Sequence, residues 1–213
     1  MNSDFDHLRT HLQQALAEPG LLCARQSVRA KFGPALSYGR HFGPPAPSAR
    51  QAAVLVLLEP RGGEWTIPLT VRPDHLPDHP GQVSLPGGRL EAGESHQQAA
   101  EREFFEELGC QLSPAQILGE LLPLYVYGSD YYVRSFVAIS QRLYDYRPCP
   151  REVAQVVHLP LAALVKPGLP HEQQFTRGLA TWTAPTITGG GAIVWGATAI
   201  ILAELNALLQ SFA

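Results

Sequence analysis

Apolar positions in this chain repeat with two periods, and each predicts an element. Near the N-terminus Phe5, Leu8, Leu12, Ala15 and Leu16 recur at helical spacing, and Pro19-Gly20 ends that helix. Ala52 to Leu58 is a continuous apolar run of strand length, suited to a central strand buried on both faces. After the turn Arg61-Gly62-Gly63-Glu64, Trp65 to Arg72 is expected to pair back as a hairpin strand, weakened by Pro68. Ile117 to Tyr127 and Tyr131 to Ser140 read as two strands around a Gly128-Ser129-Asp130 turn, and residues 144–150 as a loop. The segment ending in HLPLAALV reads as a strand and a short helix. Ile200, Ile201, Leu205, Leu208 and Leu209 line a final helix face that closes the core. Residues 33–49 are rich in Gly and Pro, as in a linker. The expected organisation is an N-terminal helix and extension over residues 1–49 and one α+β domain over residues 50–213.

Composition narrows the function classes. At 213 residues the chain suits a single domain with a substantial core. A formal net charge of −3 offers no basic footprint for nucleic acid. The apolar C-terminal segment is interrupted by Glu204 and Asn206, so no membrane span is expected. The N-terminus MNSDFDHLRTHL is acidic where a signal peptide is basic and apolar, which points to a cytoplasmic protein. Cys23, Cys110 and Cys149 are odd in number with no C-x-x-C pair, as expected of reduced thiols.

The chemistry concentrates in GRLEAGESHQQAAEREFFEELGC, residues 88–110. Ser95 and Gln98 form a capping box and Gly109 a left-handed stop, so a helix is predicted from His96 to Leu108. Ala100, Phe104 and Leu108 form its apolar stripe, and Glu103, Glu106 and Glu107 an acidic side. Such like charges repel by roughly 0.2–0.5 kcal/mol per pair. With no basic partner four residues on, the arrangement invites a divalent cation. Carboxylate oxygens alone suit Mg²⁺ or Mn²⁺ rather than Zn²⁺. The bland alternative is a solvated acidic face. His7 and His11 lie four apart with no third ligand in view. Asp74, His75, Asp78 and His79 sit among prolines, as in a rigid loop with polar tips. Tyr125, Tyr127, Tyr131 and Tyr132 could stack on a base, although strand packing is their commoner use.

The run Gly88, five residues, Glu94, seven residues, Arg102-Glu103-Phe104-Phe105-Glu106-Glu107-Leu108-Gly109-Cys110 resembles a complete Nudix box. The resemblance implies an α/β/α sandwich with a mixed sheet and metal-dependent hydrolysis of a nucleoside diphosphate derivative. It also implies Glu103 and Glu107 as principal ligands, Glu106 as a further ligand or base, and the Gly88 carbonyl as another oxygen. Arg102 would orient Glu103 or Glu94. Upstream, Leu69, Thr70, Arg72, Gly81, Pro86, Gly87 and Gly88 are similar to the motif of the coenzyme A–cleaving subfamily. Pro68, Pro73, Pro77 and Leu85 depart from it, and Pro77 stands where that motif has an arginine. By the same resemblance Arg72, Gly81, Gln82 and Gly87 are substrate-binding candidates. Glu152, followed by Val153, is a candidate outer ligand or general base, set against a surface salt bridge. Trp195-Gly196-Ala197-Thr198-Ala199 resembles a further signature of the subfamily. The expectation is a coenzyme A diphosphatase giving 3′,5′-ADP and 4′-phosphopantetheine, with no nucleic-acid or membrane partner and a possible homodimer. The alternatives are hydrolysis of ADP-ribose, NADH or a dinucleotide, and a nucleotide-sensing module that does not cleave.

Overall fold

A computed structural model describes residues 2–33, 43–76, 79–178 and 180–211. Strand β1 (Arg50–Arg61) is its axis. The apolar run has no polar face because both sides of β1 are covered. Leu55 and Leu57 pack with helix α3 (His96–Leu108), while Val56 and Leu58 pack with α1 (Asn2–Ala17) and α4 (Gly196–Gln210). Three layers result, helix, mixed sheet and helix, in an α+β fold.

Strand β1 serves three ladders. It runs parallel to β7 (Tyr131–Ile139) from Arg50 opposite Tyr131 to Leu58 opposite Ile139. Its other edge pairs antiparallel with β4 (Gly87–Arg89), Ala53 opposite Gly88. Strand β2 (Glu64–Val71) pairs with β1 only from Glu59/Thr66 to Arg61/Glu64. That ladder stops short of Pro68, so the proline lies where β1 has left. Strand β8 (Gln155–Pro160) pairs with β2 from Thr66 to Val71, Pro68 opposite His158, and past Pro68 Thr70 and Val71 pair with β3 (Val83–Ser84).

One predicted strand is two. Residues 117–127 form β5 (Ile117–Glu120) and β6 (Leu124–Val126), both antiparallel to β7. In the gap, Arg29 donates to the carbonyls of Leu122 (3.1 Å) and Pro123 (2.9 Å). Leu122 N–H donates to Glu204 at 2.8 Å. These backbone groups are satisfied by side chains, so no ladder forms there.

Arg29 lies on α2 (Leu22–Lys31), a helix that hydrophobic spacing does not reveal because its buried residues are Arg25 and Arg29. They meet Glu204 of α4 at 2.7 and 3.2 Å. Burial pushes the Glu204 carboxyl up, and the neighbouring peptide N–H and two guanidiniums oppose that. In α1, Phe5, Leu12 and Ala15 are buried in the same core, and His11 Nε2 lies 2.8 Å from the Leu208 carbonyl.

A second sheet of three antiparallel strands is also absent from the apolar pattern: β9 (His171–Arg177), β10 (Ala180–Gly189) and β11 (Ala192–Trp195). Its inner face, Ile187, Ala192 and Val194, joins the α4 core. Its strands are rich in Thr, Gln and Glu, which hides their alternation. No helix among the described residues is long and apolar enough to cross a membrane.

Candidate metal and diphosphate site

The acidic helix is built as its caps predict. Ser95 and Gln98 exchange both capping-box bonds, and Gly109 ends α3 in the left-handed region at φ 70°. Ala99, Ala100, Phe104 and Leu108 are buried against β1. That contact fixes which way the other faces point.

At 3.6 residues per turn, Glu107 projects about 40° from Glu103, and Glu106 falls about 60° to the opposite side. Glu107 accordingly turns inward, is 7% exposed, and accepts a hydrogen bond from Gly87 N–H at 3.3 Å. Glu106 turns outward to Arg102, four residues earlier, at 2.9 Å. The acidic face therefore does have a basic partner, placed before the glutamate rather than after it. Arg102 also donates to Glu94 (2.9 and 3.0 Å), Glu103 (2.9 Å) and the Arg89 carbonyl (2.9 Å). It ties the approach loop to the helix.

The carboxylate cluster is Glu103, Glu107 and Glu152, with one oxygen of each within 4.8 Å of the others. Glu152 arrives on the segment before β8, where Ala154 N–H donates to the Val71 carbonyl at 2.8 Å. Glu106 is not in this cluster. Burial pushes the Glu107 carboxyl up to about 8, reinforced by the charges of Glu103 and Glu152 and opposed by Gly87 N–H and Arg72. Burial likewise raises Glu103, against the pull of Arg102. Three mutually repelling carboxylates, one nearly sealed from water, fit a hard divalent cation with oxygen ligands.

The glycines of the loop are required by contact. A Cβ on Gly88 would lie 2.4 Å from a Glu103 carboxylate oxygen. One on Gly87, at φ 150°, would lie 2.3 Å from the Ala53 carbonyl. The backbone thus abuts the carboxylates directly, with the Gly88 peptide beside Glu103.

The substrate-binding candidates are brought together by a pinned loop. Arg72 N–H donates to the Gln82 carbonyl (3.0 Å), and Gly81 N–H to the Arg72 carbonyl (3.0 Å). His79 Nδ1 lies 2.9 Å from Gln82 Oε1. Arg72 is close enough to Glu107 for its charge to be felt there. Pro77 and Asp78 lie outside the described residues. Elsewhere, Tyr125 donates its hydroxyl to Asp130 at 2.8 Å, and Arg50 stacks over Tyr131.

Comparison with known proteins gives this site a family. Residues 49–179 match the model of the NUDIX domain. The chain belongs to the Nudix family. Among its Nudix relatives is the mouse peroxisomal coenzyme A diphosphatase NUDT7, 32% identical over 131 residues. That alignment spans 61% of this chain and 55% of the mouse protein, so about half of that relative is matched. The uncharacterized Nudix hydrolase NudL of Yersinia pestis (strain Pestoides F) is 32% identical over 157 residues, 73% of this chain and 78% of that one. A MutT/nudix family protein from Enterococcus faecalis shares the fold, with a TM-score of 0.55 at 16% identity. That match covers 83% of this chain and 68% of the other. Nudix hydrolases generally need divalent metal ions, which agrees with the donor set found here.

Of the residues singled out from the sequence, Glu103, Glu107 and Glu152 converge, with Gly87, Gly88 and Arg72 beside them. Sequence reasoning missed the inward turn of Glu107, which depends on the register of α3 over β1.

Proposed function

We propose that the protein is a divalent-metal-dependent diphosphatase acting on coenzyme A, releasing 3′,5′-ADP and 4′-phosphopantetheine. The observation that carries this reading is the convergence of Glu103, Glu107 and Glu152 within 4.8 Å beside the Gly87-Gly88 backbone. Glu103, Glu107 and Glu152 would hold Mg²⁺ or Mn²⁺ with the Gly88 carbonyl, and such an ion neutralises a diphosphate and acidifies water. Arg72, at the mouth of the loop, binds a phosphate oxygen, with Gln82 next to it. Arg102 holds Glu103 and Glu94 in place and does not meet substrate. Glu152, the solvent-facing member of the trio, takes the proton of the water that attacks phosphorus as the bridging P–O bond breaks. Support for coenzyme A comes from the residues around Arg72 and Gly81 and from the likeness to the mouse enzyme.

A second reading, hydrolysis of ADP-ribose or another nucleoside diphosphate derivative, is favoured by Pro77 standing where the subfamily motif has a phosphate-gripping arginine. Incubation with coenzyme A, ADP-ribose, NADH and diadenosine polyphosphates, with and without Mg²⁺ or Mn²⁺, separates the two. Metal-dependent release of 3′,5′-ADP from coenzyme A is expected. Coenzyme A left intact while ADP-ribose is consumed hands the substrate to the second reading. No consumption of any member leaves a binding module.

A further inference from the structure

The carboxylate centre answers to a diphosphate and not to the base that such a substrate carries. Two open cavities, about 500 and 370 Å³, are lined neither by the three carboxylates nor by residues 72–88. The three-stranded sheet is better placed. Strand β11 lies against β3, which leads within a few residues into Gly87 and Gly88, and also touches β8, which follows Glu152. The β10–β11 turn is seated tightly on β8, where a Cβ on Gly190 would fall 1.9 Å from the His158 carbonyl.

The register puts the aromatic residues of this sheet on its outer face. Trp182 pairs with Phe175, Ala184 with Gln173, and Thr186 with both His171 and Trp195. The alternate set, Ile187, Ala192 and Val194, is the face buried in the core. Over Ala184 and Thr186, both fully covered, the three rings converge. Phe175 stacks on Trp182 at 5.9 Å and 19°, Phe175 and Trp195 are 5.0 Å apart, and Trp182 and Trp195 5.9 Å. All three remain half-buried, and Ile193 beside Trp195 is 42% exposed. Trp195 is tilted by 34° to Phe175 and by 52° to Trp182, so the rings offer several aromatic faces, bordered by the Gln173 amide, on which a flat heterocycle with polar edges can stack whatever its identity. Trp182 and Trp195 lie beyond residue 179, where the family match ends.

We propose that Phe175, Trp182 and Trp195, with Gln173 at their edge, form the stacking platform for the purine base of the nucleoside diphosphate cleaved at the carboxylate centre. The inference rests on the hydrolase reading above, and its test does not require turnover. The intact protein is titrated with AMP and separately with 4′-phosphopantetheine while tryptophan emission is followed. AMP binding is then measured by equilibrium dialysis for Trp182→Ala and the milder Phe175→Leu, each checked for folding by circular dichroism. AMP is expected to quench the emission, and the variants to bind it about tenfold more weakly. Their KM for the cleaved substrate should rise by a similar factor with kcat little changed.

Quenching by 4′-phosphopantetheine but not by AMP would overturn the proposal, because the rings would then hold the other arm. Unchanged AMP affinity in folded Phe175→Leu would also overturn it. So would self-association in sedimentation runs that Trp182→Ala abolishes while AMP has no effect. If AMP binds as expected and no diphosphate is cleaved, the platform stands and the hydrolase reading falls. If coenzyme A is cleaved while AMP leaves the emission untouched, the platform falls alone.

Discussion

Replacing Glu107 by Gln keeps the shape of the most buried carboxyl group in the trio and removes the anion that a bound cation would draw on. Turnover should fall by at least about a hundredfold with the fold retained, measured as steady-state kcat alongside circular dichroism. Glu152→Gln should cost a similar factor, because Glu152 shares the cluster and is the proposed proton acceptor. Glu106→Gln should cost less than either, since its carboxylate is spent on Arg102; a larger loss there would return Glu106 to the centre. His158 gives a prediction of a different kind. Burial, helped by the charge of Arg61, depresses its imidazole to about 4. Glu59 lies 3.5 Å away, but an imidazole depressed that far is neutral near pH 7, so the two do not form a charged pair there. A histidine depressed when folded leaves the unfolded chain holding more protons between its two pKa values. Its contribution is therefore complete above pH 6.5 and is lost as pH falls through 4, amounting to about 3 kcal/mol over that window. Urea unfolding of His158→Phe should lack that part of the wild-type pH dependence.

Among elements, the junction of α2 with α4 is the most vulnerable. Arg25 and Arg29 are 6% and 4% exposed and both rely on Glu204, which is fully buried. Glu204→Leu leaves two guanidiniums without a carboxylate and frees Leu122 N–H. A loss of about 3–5 kcal/mol is expected from denaturant midpoints. Replacing all three ionic residues by apolar ones of similar volume should recover only part of it, because the Leu122 N–H and the Leu122 and Pro123 carbonyls then lose their partners. This junction also marks where the sequence stopped being readable. Period-based reading finds α1, α3 and α4 because each buries apolar residues at helical spacing. It passes over α2, whose buried residues are charged, and runs β5 into β6, because the gap is made by an arginine almost a hundred residues upstream.

For the whole molecule, the loop and helix carrying the chemistry were legible since their caps, glycines and glutamates are local in sequence. That Glu152 rather than Glu106 lies with Glu103 and Glu107 was not, because it depends on the segment before β8, whose Arg147 and Cys149 N–H groups donate to the Leu108 and Glu107 carbonyls at the end of α3. One prediction belongs at this level. Metal that binds only the folded trio must stabilise the entire fold, by about 2.7 kcal/mol at a hundredfold excess over its Kd. Thermal melts should therefore move upward when Mg²⁺ or Mn²⁺ replaces EDTA, and Glu107→Gln should lose most of the shift.

The parallel register of β1 with β7 also has a kinetic meaning. Arg50 must find Tyr131, with β2, β3, β4 and all of α3 lying between them in the chain. Pairing of that range cannot be rewarded until a long loop has closed, which slows folding. Until it closes, α3 lacks part of its floor, because Phe136 and Ala138 of β7 share its apolar cluster. Glu103 and Glu107 are then carried by a helix packed on β1 and β4 but still missing the β7 side of its apolar cluster. The centre is accordingly a late product of folding, and newly made chains should acquire compactness before they acquire affinity for metal.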